Sequence, residues 1–371
     1  MSTRLVDLVQ SRVDEFVSER AAGVTAIAPE LSTFLEFSAD LLRGGKRFRA
    51  LFCYWGWQSV GAGRGKYDPL ADLEAPKGLG GVISVAAALE VFHGAALVHD
   101  DIMDNSDTRR GRPAAHKRFE SLHGEHAWTG SALGFGQSAG LLLGDLLLGW
   151  SDEMLEEGLQ QLGDQSAAAA ARAEFHTMRT EVTLGQYLDI LEENAWRSNP
   201  EIELLPRAHR VIVYKSAKYS VEAPLTIGAR LGGATDEQVA ALRAFGLPLG
   251  IAYQLRDDLL GVFGDPAETG KPAGDDLREG KRTVLVALAR RELPTNARNL
   301  LDELLGDEHL TAQQVELLQD AIRGSGAIAL VERLIDHNVL LARDALAEAP
   351  LTSSAREQLL QLTDTVTRRK A

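Results

Sequence analysis

The sequence has 371 residues, 45% of them hydrophobic and 25% charged, and these proportions exclude an intrinsically disordered chain. Lysine and arginine total 39 and aspartate and glutamate total 53. The resulting net charge of −14 argues against a general nucleic-acid binder, because phosphate backbones are bound through excess basic residues. The single cysteine, Cys53, excludes an intramolecular disulfide and a multi-cysteine zinc site. An N-terminus without an apolar core is unlike a signal peptide, so we expect a cytoplasmic protein.

Helical patterning runs through most of the chain. Apolar residues recur at spacings of three and four, in segments rich in Ala, Leu and Glu, and no run of alternating β-branched residues competes. In chain order, the predicted helices cover residues 5–22, 32–42, 81–98, 141–161, 167–191, 234–245 and 244–253. The sequence therefore predicts an all-α fold.

Residues 131–150 are almost wholly apolar and raise the question of a membrane span. Asp145 and Gln137 argue against one, because an aspartate at the centre of a spanning helix costs about 2.5–3.5 kcal/mol. We expect a helix buried on all sides, in the core or in a subunit interface, and not an integral membrane protein.

Two segments rich in helix breakers interrupt this pattern. Residues 61–81 are predicted to form an irregular surface loop, and residues 264–282 a long, charged, flexible lid loop. Similar helices flank both segments, so we predict one domain over residues 1–371.

The sharpest local feature is the run His99-Asp100-Asp101-Ile102-Met103-Asp104. On a helix, Asp100 and Asp104 project from one face with about 6 Å between their Cβ atoms. Like charges this close repel, and a hard divalent cation such as Mg²⁺, which takes carboxylates together with substrate phosphates, removes the repulsion. A solvated acidic helix end is the alternative interpretation.

A second acidic pair, Asp257 and Asp258, also follows an apolar segment. Two such clusters more than 150 residues apart suggest facing metal sites that clamp one diphosphate. Basic segments accompany them, and Lys and Arg clusters bind phosphate oxygens. These segments are 44–49 (GGKRFR), 108–113 (TRRGRP), 214–216, Lys271 and 281–282.

These motifs, from GGKRFR at Gly44 to DDLREGKR at Asp275, occur in an order that resembles the trans-isoprenyl diphosphate synthases, also called polyprenyl synthetases. The resemblance covers most of the chain. It implies a bundle of roughly ten or more helices around a large central cavity, and homodimers. It also implies Mg²⁺-dependent prenyl transfer (Mn²⁺ as a substitute) from allylic diphosphates to isopentenyl diphosphate.

The resemblance also assigns residues. Those matching the isopentenyl diphosphate site are Lys46, Arg49, His93 and Arg110. Those matching the metal motifs are Asp100, Asp101 and Asp104 in the first and Asp257 and Asp258 in the second, with Asp189 in an outer-shell metal position. Those matching the allylic side are Arg109, Gln186, Lys215, Ser216 and Gln254, and the lid lysines are Lys271 and Lys281.

The second motif departs from the family pattern. It often reads DDxxD, but its last position here is Gly261, so the role of a fifth-position carboxylate is lost. Asp265 is a candidate replacement that the sequence does not place geometrically.

Product length should depend on what lines the helix below Asp100. The residue five positions earlier, about 7–8 Å below by helical rise, is Ala95, with Ala96 beside it and Phe92 and Leu89 deeper. Short-product members of the family often place an aromatic residue there, so we predict geranylgeranyl diphosphate (C20). Farnesyl or longer products remain open, because alanines also permit close helix packing and a neighbouring helix could supply a plug.

Two other functions stay open. A class I terpene cyclase shares the ionisation step, but it does not need the second diphosphate site that Lys46, Arg49, His93 and Arg110 indicate. A non-catalytic regulatory subunit usually lacks one aspartate motif or the lysines. His123 and His126 are interpreted as solvated histidines and Cys53 as a buried, unreactive thiol.

Overall fold

The computed structural model describes residues 2–61, 78–265, 274–307 and 309–367. Within these ranges the regular structure is helical apart from one antiparallel pair of two-residue strands. The predicted all-α fold is confirmed.

α-Helices occur in all four described ranges. In chain order they are α1 (Ser2–Ile27), α2 (Ser32–Leu41), α3 (Phe48–Ser59), α4 (Leu79–Met103), α5 (Ala115–Glu125), α6 (Ala132–Gln160), α7 (Gln165–Ala195), α8 (Glu201–Val211), α9 (Ala223–Leu231), α10 (Asp236–Phe263), α11 (Asp275–Glu279), α12 (Val284–Glu292), α13 (Thr295–Leu304), α14 (Ala312–Gly324), α15 (Ala327–Ala347) and α16 (Ser353–Thr367). Strands β1 (Thr108–Arg109) and β2 (Arg112–Pro113) form a hairpin, Pro29–Leu31 and Trp196–Ser198 are 3₁₀ turns, and Ile212–Glu222 is a π-helix between α8 and α9.

The chain divides into two compact units. The first contains Met1–Ala173 and Pro224–Thr235, and the second contains Glu174–Ala223 and Asp236–Ala371. The single-domain organisation of residues 1–371 stays a prediction.

Helix α4 forms the centre of the first unit. Every residue from Gly81 to Phe92 is buried, and Val82, Val85 and Leu89 have no exposed surface. A helix that is apolar on every side is stable only where other elements cover every side. Its length and hydropathy would suit a membrane span, but 83% of its most apolar window is buried inside the protein.

Small residues let α4 and α6 approach closely. A Cβ atom on Gly81 would lie 2.6 Å from the carbonyl oxygen of Gly158, and one on Gly158 would lie 2.8 Å from that of Gly81. The buried hydroxyl of Ser151 donates to the carbonyl of Ala88 at 3.0 Å. This close contact fixes the position of α4, whose C-terminal end carries the first acidic cluster.

Helix α6 leaves its other side uncovered. Leu133, Leu141 and Leu142 are 49%, 51% and 60% exposed, whereas Leu143 and Leu147 pack inward with no exposed surface. Only 28% of its most apolar window is buried. The prediction that residues 131–150 are buried on all sides in the core is therefore wrong, because the first unit covers one side only. The subunit-interface alternative stays a prediction.

The second unit is built around α10, which packs along α15. Leucines of α10, α12, α13 and α14 fill its core together with Val331 of α15. Arg256 of α10 donates two hydrogen bonds of 2.7 Å to Glu332 of α15 and one of 3.1 Å to the carbonyl of Thr367 at the end of α16. This guanidinium ties the last two helices to the segment that carries the second acidic cluster.

Some predicted boundaries differ from the structure. The helices predicted over residues 234–245 and 244–253 are one helix, α10, which passes through Pro248 and contains Asp257 and Asp258. The predicted lid contains α11, and its residues 266–273 lie outside the described part of the chain. Of the predicted loop 61–81, residues 62–77 lie outside it as well, and residues 79–81 already belong to α4.

The structure shows the surroundings of Cys53 and His123, to which the sequence analysis assigned no chemical role. Cys53 has no exposed surface, as predicted, and burial raises the pKa of its thiol to about 12. His123 is not solvated: it is 5% exposed, lies 5.5 Å from the ring of Phe135, and its Nε2 is 3.3 Å from the carbonyl oxygen of Thr129. Aromatic packing at the end of α5, which the spacing of His123 and His126 does not reveal, buries it.

Candidate active site

The first acidic cluster, Asp100, Asp101 and Asp104, lies at the C-terminal end of α4. Asp100 and Asp101 belong to its last turn, and the backbone N–H of Asp104 caps the helix by donating to the carbonyl of Asp100 at 2.8 Å. A helix C-terminus carries partial negative charge, so three carboxylates there are unfavourable without nearby cations.

One cation is supplied by the chain itself. The Nε of Arg109 donates to Oδ1 of Asp101 at 2.8 Å, its Nη2 contacts the same oxygen, and Nη2 lies 3.6 Å from Oδ2 of Asp100. Asp101 is 1% exposed. The predicted metal ligand Asp101 is thus engaged with the predicted allylic-site residue Arg109, which leaves Asp100 and Asp104 as the more accessible carboxylates of the cluster.

A tight hairpin positions Arg109. Strands β1 and β2 pair Arg109 with Arg112, and the two residues between them, Arg110 and Gly111, have φ values of +54° and +71°. Two left-handed central residues are typical of the type I′ turn that closes two-residue hairpins. The turn also directs Arg110 toward the 44–49 segment, where a Cβ on Gly45 would lie 3.1 Å from its Nη2.

A buried ion pair anchors the 44–49 segment. Arg47, left-handed with φ +51°, caps α3 and points its Nη1 at the carboxylate of Glu90 on α4, 3.4 Å away, and both side chains are about 95% buried. The backbone N–H of Ala50 donates to the same carboxylate at 3.1 Å. Lys46, by contrast, is exposed, and Arg49 is half-buried.

His93 lies among these cations on α4. Burial lowers the pKa of its imidazole well below the usual range, and the charges of Arg49, Arg110, Arg109 and Arg47 lower it further. The structure therefore brings Arg49, His93 and Arg110, three of the four predicted isopentenyl diphosphate residues, into one electropositive region with a neutral histidine.

In the second unit, Lys215 and Ser216 belong to the π-helix Ile212–Glu222. Glycines of two neighbouring helices allow close approach to its backbone. A Cβ on Gly185 of α7 would lie 2.4 Å from the amide nitrogen of Lys215, and one on Gly250 of α10 would lie 2.5 Å from the carbonyl oxygen of Ala217. Wide turns of this kind occur frequently at functional sites.

Lys215 pairs with a residue predicted for the metal side. Its Nζ lies 2.5 Å from Oδ2 of Asp189 on α7, and both side chains are mostly buried. Gln186, the other predicted residue of the GQYLD motif, is half-buried one turn earlier on α7. The pairing places a cation predicted to contact the allylic diphosphate next to a carboxylate of this unit.

The second acidic cluster, Asp257 and Asp258, lies in α10. Asp258 is 4% exposed, and the side-chain amide of Gln254, one turn earlier, donates to its Oδ1 at 2.8 Å. Burial raises the pKa of Asp258 well above the usual range, and the charges of Asp276, Asp257 and Asp189 raise it further, against the effect of the Gln254 hydrogen bond. A divalent cation would relieve this cost.

The predicted lid residues are described only in part. Lys281 pairs with Glu279 of α11 at 2.8 Å. Lys271 lies outside the described residues. Asp265, the candidate substitute for the missing fifth-position carboxylate, is exposed after the end of α10.

Carboxylate oxygens are the ligands that Mg²⁺ prefers, and both clusters supply them. Among the described residues, no three His, Cys, Asp or Glu side chains converge closely enough to hold a metal ion on their own. Mg²⁺ sites commonly use one or two carboxylates and complete their shell with water and substrate phosphates, so the clusters fit this ion. Asp100 and Asp104 would hold it in the first unit and Asp257 and Asp258 in the second; the facing of the two clusters stays a prediction.

The polyprenyl synthetase family model matches residues 32–322 of this chain. The chain belongs to the polyprenyl synthetase family. It is 30% identical over 369 residues to the short chain isoprenyl diphosphate synthase of Methanothermobacter thermautotrophicus, covering 98% of this chain and 96% of that protein. It is also 30% identical over 305 residues to the geranylgeranyl diphosphate synthase of Mycobacterium tuberculosis, covering 82% and 75%.

A solved structure is similar over the full length. It is geranylgeranyl pyrophosphate synthase from Corynebacterium glutamicum, complexed with isoprenyl diphosphate and magnesium, with 34% identity, a TM-score of 0.91 and complete coverage of both chains. This polyprenyl synthetase is therefore a prenyltransferase of the isoprenyl diphosphate synthase type. Its family implies a divalent metal and isopentenyl and allylic diphosphates as substrates.

Sequence reasoning missed three features of the site. They are the π-helix around Lys215, the Arg47–Glu90 pair, and the approach of Asp276, whose Oδ2 would lie 2.0 Å from a Cβ atom on Gly261. The sequence could have indicated Arg47, because this residue lies within the basic segment 44–49. The other two depend on contacts between distant segments.

Proposed function

We propose that this polyprenyl synthetase uses Mg²⁺ to condense isopentenyl diphosphate with allylic diphosphates and makes geranylgeranyl diphosphate (C20). One observation carries the proposal. The first unit supplies an acidic cluster on α4 and, separately, the basic group of Arg49, His93 and Arg110. A chain equipped for two diphosphates suits a condensation, whereas a cyclase requires one.

Each group of residues has a role in this reaction. Asp100 and Asp104 hold the metal in the first unit, and Arg109, oriented by Asp101, and Lys215 bind the allylic diphosphate. The divalent ion, when bound, stabilises negative charge on the leaving diphosphate. His93, held neutral, donates an imidazole N–H hydrogen bond to a diphosphate oxygen of isopentenyl diphosphate without adding charge.

The bond changes balance without a dedicated protein base. The C–O bond of the allylic diphosphate breaks and its electron pair leaves with the diphosphate. The double bond of isopentenyl diphosphate then forms the new C–C bond with the allylic cation, and the proton lost from the adduct passes to the released diphosphate. We infer that the π-helix carbonyls near Lys215 and the side-chain amide oxygen of Gln254 stabilise the cation.

The C20 product is supported by small residues on α4 below the acidic cluster. Ala96 precedes Asp100 by four positions, shares its helix face and is half-buried, whereas Ala95 has no exposed surface and lies about 140° around the helix. Phe92, one turn deeper than Ala96, is 3% exposed. We therefore propose Ala96 as the position where a larger side chain would shorten the product. Relatives named geranylgeranyl diphosphate synthases agree with this length.

The test is a product assay with Mg²⁺, labelled isopentenyl diphosphate and each of the C5, C10 and C15 allylic starters, with and without EDTA. After dephosphorylation, chromatography sizes the alcohols. We expect a C20 alcohol that EDTA abolishes, and a shorter one from Ala96→Phe. Ala95→Phe is the companion variant predicted from the sequence, and an unchanged product from both variants would contradict the pocket argument.

The other outcomes separate the alternatives. A C15 alcohol, or an alcohol longer than C20, from the unmodified enzyme would keep the synthase and refute the C20 product. A cyclised hydrocarbon from geranylgeranyl diphosphate, without elongation, would indicate a terpene cyclase. No turnover with any starter would indicate a regulatory subunit.

We also propose that the protein is a cytoplasmic homodimer. The support for the dimer is the exposed apolar side of α6, with Leu133, Leu141 and Leu142, which a second copy of the chain would cover.

A further inference from the structure

Gly261 occupies the position where the second aspartate motif often has its last carboxylate. A Cβ atom built on Gly261 would lie 2.0 Å from Oδ2 of Asp276, 2.4 Å from its Cγ and 2.7 Å from its Oδ1. No real Cβ atom approaches a carboxylate that closely. The carboxylate of Asp276 therefore fills the space that the first atom of a side chain at position 261 would need.

The backbone around Asp276 holds it in this place. Asp276 lies in the five-residue helix α11, which is flanked by two glycines with left-handed conformations, Gly274 (φ +72°) and Gly280 (φ +80°). The N–H of Lys281 donates to the carbonyl of Asp276 at 3.1 Å, and the N–H of Gly306 donates to the carbonyl of Leu277 at 2.9 Å. The approach to Gly261 is thus set by a hydrogen-bonded segment anchored at both ends.

A second observation points to a ligand at this place. Asp258, one turn before Gly261 on α10, is 96% buried, and its Oδ2 has no hydrogen-bond partner among the described residues. Among the described residues, its carboxylate accepts one hydrogen bond, which Gln254 donates to Oδ1. The field of Asp276 acts on Asp258 together with those of Asp257 and Asp189. A buried carboxylate oxygen without a donor, next to further carboxylates, is a costly arrangement that a cation relieves.

We propose that Asp276 supplies the third carboxylate of the second acidic cluster, in the space left by Gly261, and helps to hold the divalent ion that binds there. The inference rests on the proposed function. It replaces Asp265, the candidate suggested by the sequence, with a residue from another segment. Among the described residues no three such side chains converge on a metal ion by themselves, and Mg²⁺ usually keeps several bound waters, so Asp276 can act through one of these waters.

The test measures Mn²⁺ binding by equilibrium dialysis on the full chain, with inorganic diphosphate present and no substrate to turn over. We expect Asp276→Asn to weaken one class of Mn²⁺ site about tenfold or more, the range seen when groups that support a metal site are removed. The matched control is Asp275→Asn. It removes an equal charge from the same end of α11 and should stay within twofold of the wild type.

Gly261→Ala provides an independent route to the same result. The added methyl must displace the carboxylate of Asp276, so we expect a loss of Mn²⁺ affinity like that of Asp276→Asn. The double variant should bind Mn²⁺ no more weakly than either single variant, because the two substitutions remove the same interaction.

Thermal unfolding without metal separates this role from a structural one. Removing one of several mutually repelling carboxylates should leave the melting temperature of the metal-free Asp276→Asn protein unchanged or raise it. Wild-type Mn²⁺ affinity in Asp276→Asn, or equal losses in Asp275→Asn and Asp276→Asn, would overturn the inference. If the wild type itself bound no Mn²⁺ in the presence of diphosphate, the proposed function would fail, and this inference with it.

Discussion

His93 shows how single residues of this enzyme are tuned by their surroundings. Burial and four arginines lower the pKa of its imidazole and keep the ring neutral, so His93 adds no charge to a region already rich in cations. The nearby Arg47 is also buried, but the carboxylate of Glu90 balances its charge. The isopentenyl diphosphate region thus combines permanent cations with one neutral hydrogen-bonding group.

The lowered pKa of His93 makes a prediction for stability. Between the folded pKa and the unfolded value of about 6.5, the unfolded chain binds one more proton at this position, so acidification favours unfolding. From pH 7 to pH 5.5 this group should cost on the order of 1 kcal/mol of unfolding free energy. Urea denaturation at both pH values measures it.

The control is His93→Gln, which cannot take up the proton. The raised pKa of Asp258 acts with the opposite sign, because the folded state then binds the extra proton, so the wild type must be compared with the variant and not judged alone. An equal pH dependence in both proteins would show that His93 titrates normally.

Asp100 and Asp101 are adjacent but have different partners, so their substitution should change different kinetic parameters. Asp100→Asn removes a proposed ligand, and we expect the Mg²⁺ concentration for half-maximal activity to rise about tenfold or more. Asp101→Asn weakens the charged hydrogen bonds that orient Arg109, so we expect kcat to fall about tenfold or more with the Mg²⁺ dependence nearly unchanged. Steady-state kinetics over a Mg²⁺ titration distinguishes them. A parallel shift in Mg²⁺ dependence for both variants would make Asp101 a ligand, as the motif alone suggested.

At the scale of elements, the π-helix connects the chemistry of Lys215 with the packing of its neighbours. Because Gly185 of α7 and Gly250 of α10 lack side chains, both helices can pack directly against the backbone of the π-helix. Interiors are close-packed, so this contact has no room for an added methyl. The shape of the π-helix and the position of Lys215 therefore depend on two residues without side chains.

We expect Gly185→Ala to destabilise the protein by about 1–3 kcal/mol, the usual cost of overpacking, and to lower kcat as Lys215 shifts. The control is Gly23→Ala in α1, where a Cβ would meet nothing within 4 Å. Alanine is favoured over glycine in a helix by about 0.5–1 kcal/mol, so this variant should be slightly stabilised and fully active. Urea denaturation measures the unfolding free energy of both proteins, and steady-state kinetics measures kcat. A Gly185→Ala enzyme with wild-type stability and activity would refute the packing argument.

Helices such as α1 and α2 were predictable because their apolar residues repeat with the helical period. Asp100 and Asp104 were predictable for the same reason, since their spacing alone places them on one face. The π-helix was not, because its backbone depends on the glycines of α7 and α10, which come from other parts of the sequence. Asp276 was missed for a related reason: fifteen residues separate it from Gly261, and only the fold brings its carboxylate there.

At the scale of the whole molecule, apolar surface is distributed unevenly over the described residues. Helix α4, of 25 residues, buries nearly all of its apolar side chains, whereas α6, of 29 residues and also strongly apolar, exposes leucines. Exposed apolar patches in soluble proteins commonly mark interaction sites. A second copy of the chain is the partner we propose.

We expect Leu142→Glu, alone or with Leu141→Glu, to convert a dimer into a monomer, because a charge buried in an apolar interface without a partner is strongly unfavourable. The matched control is Leu340→Glu on α15, since Leu340 and Leu142 are 59% and 60% exposed and a glutamate should be equally tolerated by either monomer. Sedimentation equilibrium at several concentrations gives the masses. A two-chain mass for the wild type and Leu340→Glu, with a one-chain mass for Leu142→Glu, would place the interface on α6. A wild type of one-chain mass, or a Leu142→Glu variant that stays dimeric, would contradict it.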